Sequence, residues 1–303
     1  MSTQTEPSFF LKHEFAIRRI HSLLGVVPIG LYMCVHLTTN ASLMAGPGAF
    51  QRMVNQIHSL GPALPVVEWG FIFLPLLFHA FIGIWIAMTG ESNTDRYKYT
   101  ANRRYRFQRI TGYIAFIYIT MHVFHLHGWF HFGPWLDYIA TPLGMAQFKP
   151  YNAASSLAHA MDGVFWPAFY LVGVLSCVYH FANGLWTAGI TWGLWVSPAA
   201  QKRASMLCGG IGLLVGIISI TAWVGALTVD PKEARIVEDR MYEAGLESGA
   251  VFDDPHKRSA PEAVESDEAV ESDEAEVDAD ASTADEAAAG DEKTAEPETS
   301  AAE

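Results

Sequence analysis

The chain has 303 residues, of which 50% are hydrophobic and 13% aromatic, and its formal net charge is −13. The charge is uneven, because residues 1–229 hold 13 Lys and Arg against 7 Asp and Glu, whereas residues 230–303 hold 6 against 25. A mildly basic apolar body followed by a strongly acidic tail is not the pattern of one soluble domain, and it argues against a nucleic-acid partner.

Five apolar segments are long enough to cross a bilayer as helices, which takes about 20 residues each. They cover approximately residues 19–44, 66–89, 110–130, 164–190 and 206–229. Pro28, Pro75 and Pro167 fall inside these segments or near their starts, where neighbouring helices can satisfy the freed backbone groups. We therefore predict an all-α integral membrane protein, a bundle of five transmembrane helices that bend at the prolines.

The basic residues predict the orientation of the bundle. Eleven Lys and Arg precede span one or lie in the loops after spans two and four, whereas the opposite loops hold only Arg52 and Lys149. Since basic loops remain in the cytoplasm, the N-terminus is expected inside the cell and, after five crossings, the C-terminus outside.

Residues 230–303 form the acidic tail, which contains the hexapeptide EAVESD twice in tandem over residues 262–273. Such a segment buries too little apolar surface to offset its ordering entropy. We predict a largely disordered extracytoplasmic tail, with a short helix over residues 231–244 as an option. A solubilising extension is favoured over an acidic arm that recruits a basic partner.

Four histidines lie deep in four different predicted spans: His36, His79, His122 and His180. Histidine is uncommon at membrane depth, and four in four spans indicate two bis-histidine metal centres, most simply two b-type haems. The alternative for any single histidine is a hydrogen bond that joins two helices. The recurrence of a deep histidine in four spans favours the metal centres over this alternative.

The depths of these histidines predict how they pair. At a rise of about 1.5 Å per residue, His36 and His122 lie about 26 and 20 Å from the cytoplasmic ends of their spans, and His79 and His180 about 17 and 14 Å. We therefore predict an outer haem between His36 and His122 and an inner haem between His79 and His180. An iron with two imidazole ligands suits electron transfer and not oxygen chemistry.

Four further residues are candidates for contacts around the haems. Arg19, His21 and Ser22 lie at the cytoplasmic mouth of span one, where they could bind haem propionates or a quinone carbonyl. Snorkelling of the arginine side chain to the membrane interface explains Arg19 equally well. Glu68, at the outer start of span two, could take up protons from a quinol, although simple solvation also explains it. Five other histidines are expected to be solvated loop residues: His58, His125, His127, His131 and His159.

Motifs in the first four spans carry a family resemblance. They are RRIHSLLGVVPIG (18–30), HL at His36, IFLPLLFHA (72–80), FQRITG (107–112), MHVF around His122 and LVGVLSCVYHFANGLWTAGITWG (171–193). On these segments the chain resembles the cytochrome b membrane-anchor subunits of succinate dehydrogenases, in the single-chain, five-helix, two-haem class that also anchors some fumarate reductases. Span five matches by position and hydrophobicity, and the acidic tail has no counterpart.

The resemblance implies a place in the bacterial cytoplasmic membrane and a set of partners. It implies axial ligation by His36 with His122 and by His79 with His180, the pairs that depth also predicts. An iron–sulfur subunit and a flavoprotein subunit would dock on the cytoplasmic face, where residues 96–109 are the expected contact surface. Electrons would pass to or from a membrane quinone, in this class usually menaquinone, and the dicarboxylate chemistry would belong to the partner subunits.

Two alternatives remain open from the sequence. The chain could be the cytochrome b subunit of another membrane oxidoreductase, such as a fumarate reductase, a hydrogenase or a formate dehydrogenase. It could also be a haem-free transporter with functional histidines, but the sequence shows no obvious inverted repeat of the kind found in many transporters.

Overall fold

The computed structural model describes residues 9–90, 99–251 and 253–260, and these residues form helices without β-strands, as predicted. Nine helices in this part of the chain have eight or more residues: α1 Phe9–Val26, α2 Ile29–Ala41, α3 Pro47–His58, α4 Leu74–Thr89, α5 Thr100–His122, α6 Ala153–Ala160, α7 Phe165–Thr191, α8 Pro198–Thr228 and α9 Pro231–Glu247. Shorter helical turns include Ser42–Ala45, Glu68–Phe73, Val123–His127 and Leu136–Ala140.

Four stretches of the described chain are long and apolar enough to cross a membrane: Lys12–Ala45, Gly61–Thr89, Phe165–Thr191 and Pro198–Thr228. They overlap the predicted spans one, two, four and five. The predicted third span, residues 110–130, lies in α5 and in the turn that continues it, and it is not among the four. His122 at the end of α5 and two histidines in that turn lower the mean hydropathy of residues 110–130. A fifth span therefore stays a prediction.

Pro28 separates the two helices of the first span. α1 ends at Val26 and α2 begins at Ile29, because proline has no amide proton to continue the helical hydrogen bonds. Pro75 and Pro167 instead lie in the first turns of α4 and α7. The amide of a first-turn residue has no acceptor within the helix, so a proline is tolerated there.

The long helix α7 lies at the centre of the bundle and packs against α1, α5 and α8. α4 packs against α1 and α5, and α2 packs against α8. α5 and α8 begin at the same end, where Arg104 Nη1 donates to Ser205 Oγ at 2.8 Å. We call this the basic end, since it also carries Arg103, Lys202 and Arg203, and we call the opposite end, formed by α3, α6 and α9, the loop end.

The acidic C-terminal region begins with an ordered helix. Asp230 caps α9, because its side chain accepts hydrogen bonds from Lys232 N and Glu233 N. Ala234, Glu238 and Tyr242 recur every fourth residue and form a buried face against α3 and α6.

The boundary predicted at residue 230 is therefore corrected, since one compact unit extends to Ser259. The acidic composition of the whole tail hid the buried face of α9, and the optional helix over residues 231–244 is present. Residues 261–303 lie outside the described part of the chain, so the disorder expected there stays a prediction. We call residues 231–259 the C-terminal cap.

Hydrogen bonds from three side chains hold Asp239 of the C-terminal cap in its ionised form. Arg235 Nε donates to its carboxylate at 2.9 Å, Arg258 Nη2 at 3.0 Å and Asn152 Nδ2 at 3.1 Å. Burial alone would raise the pKa of Asp239, but these bonds outweigh it and keep the pKa below the usual value of 3.8. Neighbouring Glu238 behaves oppositely, because burial raises its pKa.

We expect the C-terminal cap to remain docked on mild acidification and to be released only below about pH 4. A carboxyl whose pKa is depressed by folding contributes stability above its unfolded pKa, and that stability is lost as the pH falls through the folded pKa. The pKa of Glu238 is raised on folding, so protonation of Glu238 favours the docked cap and does not release it. Limited pepsin digestion at a series of pH values measures the release.

Asp239→Asn should remove most of this pH dependence, whereas Glu243→Gln, an exposed change on the same helix, should retain it. An Asp239→Asn protein that releases the C-terminal cap at the same pH as the unaltered chain would contradict the assignment.

Candidate functional site

The structure brings the four histidines of the predicted spans together as two pairs. The ring centres of His36 and His122 are 5.8 Å apart with planes at 79°, and those of His79 and His180 are 6.1 Å apart at 89°. These are the pairs expected from depth. The His79–His180 pair lies towards the basic end, and the His36–His122 pair lies towards the loop end.

The spacing of each pair fits two imidazoles on one iron. Two metal–imidazole bonds of about 2 Å each put the ligand nitrogens about 4 Å apart, and the ring centres lie somewhat farther apart. Within the described ranges, no three His, Cys, Asp or Glu side chains form a group that could hold a metal ion. Two imidazoles per site are nevertheless what a haem needs, because the porphyrin supplies the other four ligands.

A main-chain carbonyl of α1 orients His79. His79 Nδ1 donates to His21 O at 2.9 Å. Gly25 lies one turn further along the same face of α1, and a Cβ there would overlap the His79 ring. The glycine therefore allows α4 to bring His79 against the backbone of α1.

His180 is held in the same way by α5. His180 Nδ1 donates to Gln108 O at 3.1 Å, and Gly112 again follows four residues later. A Cβ on Gly112 would lie 3.0 Å from His180 Cε1, which is tighter than ordinary packing. In both histidines Nδ1 is the donor, so Nε2 carries the free lone pair that a metal requires.

A polar network around His180 connects the site to the basic end. Gln108 Nε2 donates to His180 O at 3.1 Å, and Gln108 Oε1 accepts from Asn183 Nδ2 at 2.7 Å. Asn183 Oδ1 accepts from Arg104 Nε at 2.8 Å, and the Arg104 guanidinium lies over the Trp186 ring at 4.0 Å. Sequence reasoning missed Gln108 and Asn183, because neither stands out among the polar residues near span ends.

The three candidates at the mouth of span one occupy different places. The His21 ring stacks on His79 at 4.2 Å, with the planes 5° apart. Arg19 Nη2 donates to Thr191 O at 3.4 Å, so this side chain reaches the end of α7. Ser22 is half-buried beside His21 on α1. His21 is therefore the candidate that directly contacts a predicted ligand.

Aromatic residues surround the His36–His122 pair. The Tyr170 hydroxyl lies 3.3 Å from His122 Nδ1 and 3.0 Å from His125 Nδ1. The Tyr118 ring packs on His122 at 5.5 Å. Tyr170 and Tyr118 are both buried, and no sequence pattern singled out either, because tyrosine is common near membrane interfaces.

The expectation that His125 is a solvated loop residue is wrong. Its exposed fraction is 2%, and its ring stacks on Trp166 at 3.6 Å. The turn Val123–His127 continues α5 and keeps His125 against α7, so the side chain never reaches the solvent.

Glu68 lies beside histidines at the loop end. Glu68 Oε1 is 3.9 Å from His127 Nε2, and the His127 and His131 ring centres are 4.2 Å apart. Both ring nitrogens of His127 are buried, so His127 is not the solvated residue that was expected. The arrangement places an acid and two imidazoles in one partly buried cluster.

No known family profile matches the chain. The chain is, however, similar to the succinate dehydrogenase cytochrome b558 subunit of Bacillus subtilis, with 38% identity over 189 residues. The match covers 62% of this chain and 85% of the Bacillus protein.

Proposed function

The chain belongs to the succinate dehydrogenase cytochrome b subunits, and we propose that it transfers electrons through two bis-histidine haems between an iron–sulfur subunit and a membrane quinone. As a member of this family it is a membrane protein and part of an enzyme complex. The similarity favours this function over a hydrogenase or formate dehydrogenase subunit and over a haem-free transporter.

The repeated way in which His79 and His180 are held carries the proposal. Each donates Nδ1 to a main-chain carbonyl, and each approaches a glycine four residues beyond that carbonyl. A histidine that only joined two helices by a hydrogen bond would need no second histidine ring opposite it. It would also need no glycine that lets the neighbouring helix come close to its ring. Carbonyl partners on Nδ1 are typical of metal-bound histidines, because they fix the tautomer and the ring orientation.

A haem with two imidazole ligands, when bound, supplies a one-electron change without an open coordination position. The chain's residues orient the ligands and exclude water. His79 and His180 are held by α1 and α5 at the basic end, and His36 and His122 lie among aromatic side chains towards the loop end. Two such sites would provide an electron path through the bundle.

Glu68 is proposed to accept a proton at Oε1 when a quinol is oxidised at the loop end. Its position beside His127 supports this role, because the imidazole can take the proton onward to His131. The quinone is proposed to be menaquinone, in line with the family resemblance. His21, Ser22 and Arg19 remain proposed contacts of haem propionates or of a quinone at the basic end.

The proposed topology has five crossings, with α5 as the third. The basic end would face the cytoplasm, since Arg103, Arg104, Lys202 and Arg203 lie there, and the C-terminal cap would lie outside. Iron–sulfur and flavoprotein subunits would dock on the basic end, and the dicarboxylate chemistry would take place in them.

A redox titration of the purified complex, combined with identification of its subunits, tests the function. We expect two haem signals per chain and co-purification of an iron–sulfur protein and a flavoprotein. A complex with one haem or none, or with hydrogenase subunits, would contradict the proposal.

Tyr170→Phe should raise the midpoint potential of the His36–His122 haem and leave the other haem unchanged. Loss of the hydroxyl next to His122 Nδ1 makes the imidazole a weaker electron donor, which disfavours the oxidised iron. A hydrogen bond worth about 1 kcal/mol corresponds to at most roughly 40 mV for a one-electron couple. Potentiometric titration of the two signals measures the shift.

Tyr138→Phe is the matched control, because the Tyr138 side chain is 80% exposed. Equal shifts of both haems in Tyr170→Phe would show a general disturbance and would contradict a local effect of Tyr170.

A further inference from the structure

The C-terminal cap fastens the loop end of the bundle. α9 packs across α3 and α6. α3 directly follows span one, and α6 directly precedes α7. The chain after α9 then returns along α6, where Tyr151 N donates to Lys257 O at 3.0 Å and Ser259 N donates to Asn152 Oδ1 at 3.0 Å. The cap therefore joins connections that are far apart in the sequence.

Glu238 of the cap binds the first turn of α6. Its Oε1 accepts from Ala154 N at 2.5 Å and from Ser155 N at 3.2 Å, and its Oε2 accepts from Ser155 Oγ at 2.5 Å. The carboxylate is fully buried. First-turn amides lack acceptors within their helix, and the positive end of the helix dipole favours an anion.

Glu238 supplies what α6 lacks at its own N-terminus. Asn152 precedes α6, but its side chain makes no capping hydrogen bond and instead binds Asp239 and Ser259. Gln51 of α3 holds the same turn from the other side, because its Oε1 accepts from Ala153 N at 3.1 Å. The start of α6 is thus fixed by two distant segments of the chain.

α6 connects this turn to the His36–His122 pair. Leu157 of α6 and Met161, which directly follows that helix, share one buried core with Tyr118 and Tyr170, the two tyrosines that contact His122. The other pair is held differently, by carbonyls of α1 and α5. A displacement of α6 would therefore act first on the His36–His122 pair.

We propose that Glu238 is a positioning residue for the His36–His122 haem. By holding the first turn of α6, it keeps Tyr118 and Tyr170 packed against His122. The inference rests on the proposed function, because the pair is a haem site only under that proposal. The C-terminal cap then serves the cofactor nearest to it and is more than an extension of the bundle.

Three variants of the intact complex test this role. Glu238→Ala removes the carboxylate, Ser155→Ala removes one of its three hydrogen bonds, and Glu243→Ala is an exposed control on the same helix. We expect cleavage of the cap by protease to become at least about tenfold faster in Glu238→Ala, since cleavage follows the population of the open form. The potential of the His36–His122 haem should shift, while that of the other haem stays constant.

Ser155→Ala should shift the potential of the His36–His122 haem in the same direction as Glu238→Ala, but by less. If the Glu238→Ala complex fails to assemble, the Ser155→Ala variant tests the positioning role instead. Faster cleavage with both potentials unchanged would overturn the positioning role, as would an equal shift of both haems. Unchanged cleavage in Glu238→Ala would overturn the anchoring itself. An unaltered protein without two haem signals would contradict the proposed function, whereas the cleavage measurement would still decide the anchoring.

Discussion

Replacing either His79 or His180 with alanine is expected to abolish one haem signal, and replacing either His36 or His122 is expected to abolish the other. Each substitution removes one of the two nitrogens proposed to bind the iron, and the ring centres of each pair are close enough for one iron. The remaining imidazole leaves an open position, so the low-spin signal should disappear even where some haem is retained.

Reduced-minus-oxidised spectra and electron paramagnetic resonance of the purified complex measure this loss. His256→Ala serves as the control, since His256 is exposed in the C-terminal cap. If His36→Ala and His180→Ala removed the same signal and the other signal persisted, the pairing of His36 with His122 and of His79 with His180 would be wrong.

The second large effect is expected from the two glycines that face His79 and His180. Gly25→Ala should displace the His79 ring, because the added methyl group overlaps it, and Gly112→Ala should press on His180 from α5. Overpacking in a filled interior costs about 1–3 kcal/mol, and disturbed partners of a metal ligand lower metal affinity by about 10–100-fold. Both variants should therefore lose most of the His79–His180 haem.

Haem content per chain and the potential of each signal measure this effect. Gly209→Ala is the matched control in α8, because nothing lies within 4 Å of a Cβ at that position. Full retention of the His79–His180 haem in Gly25→Ala would show that the close approach of α1 and α4 is not needed for binding.

Much of the fold could be predicted from hydropathy. Spans one, two, four and five follow from long apolar runs, because only helices of that length satisfy their backbone in a membrane. The third predicted span is not among the apolar stretches of the described chain, because the histidines at the end of α5 lower the hydropathy of that segment. α9 was hidden by its acidic composition, although Ala234, Glu238 and Tyr242 recur every fourth residue.

The four histidines could be predicted as a group, but their immediate partners could not. The acceptors of His79 and His180 are main-chain carbonyls, which every residue has and no side chain marks. The glycines four residues later were visible in the sequence, yet glycine is common in transmembrane helices and carries little information alone. The contacts of Tyr170 with His122 and His125 depend on how α5 and α7 pack.

Pro28 divides the first span between the two sites. α1 before it offers the His21 carbonyl and Gly25 to His79, and α2 after it carries His36. Because the helical hydrogen bonds are interrupted at Pro28, the two helices can adjust separately. A shift of α1 against His79 therefore need not be passed along the chain to α2 and His36.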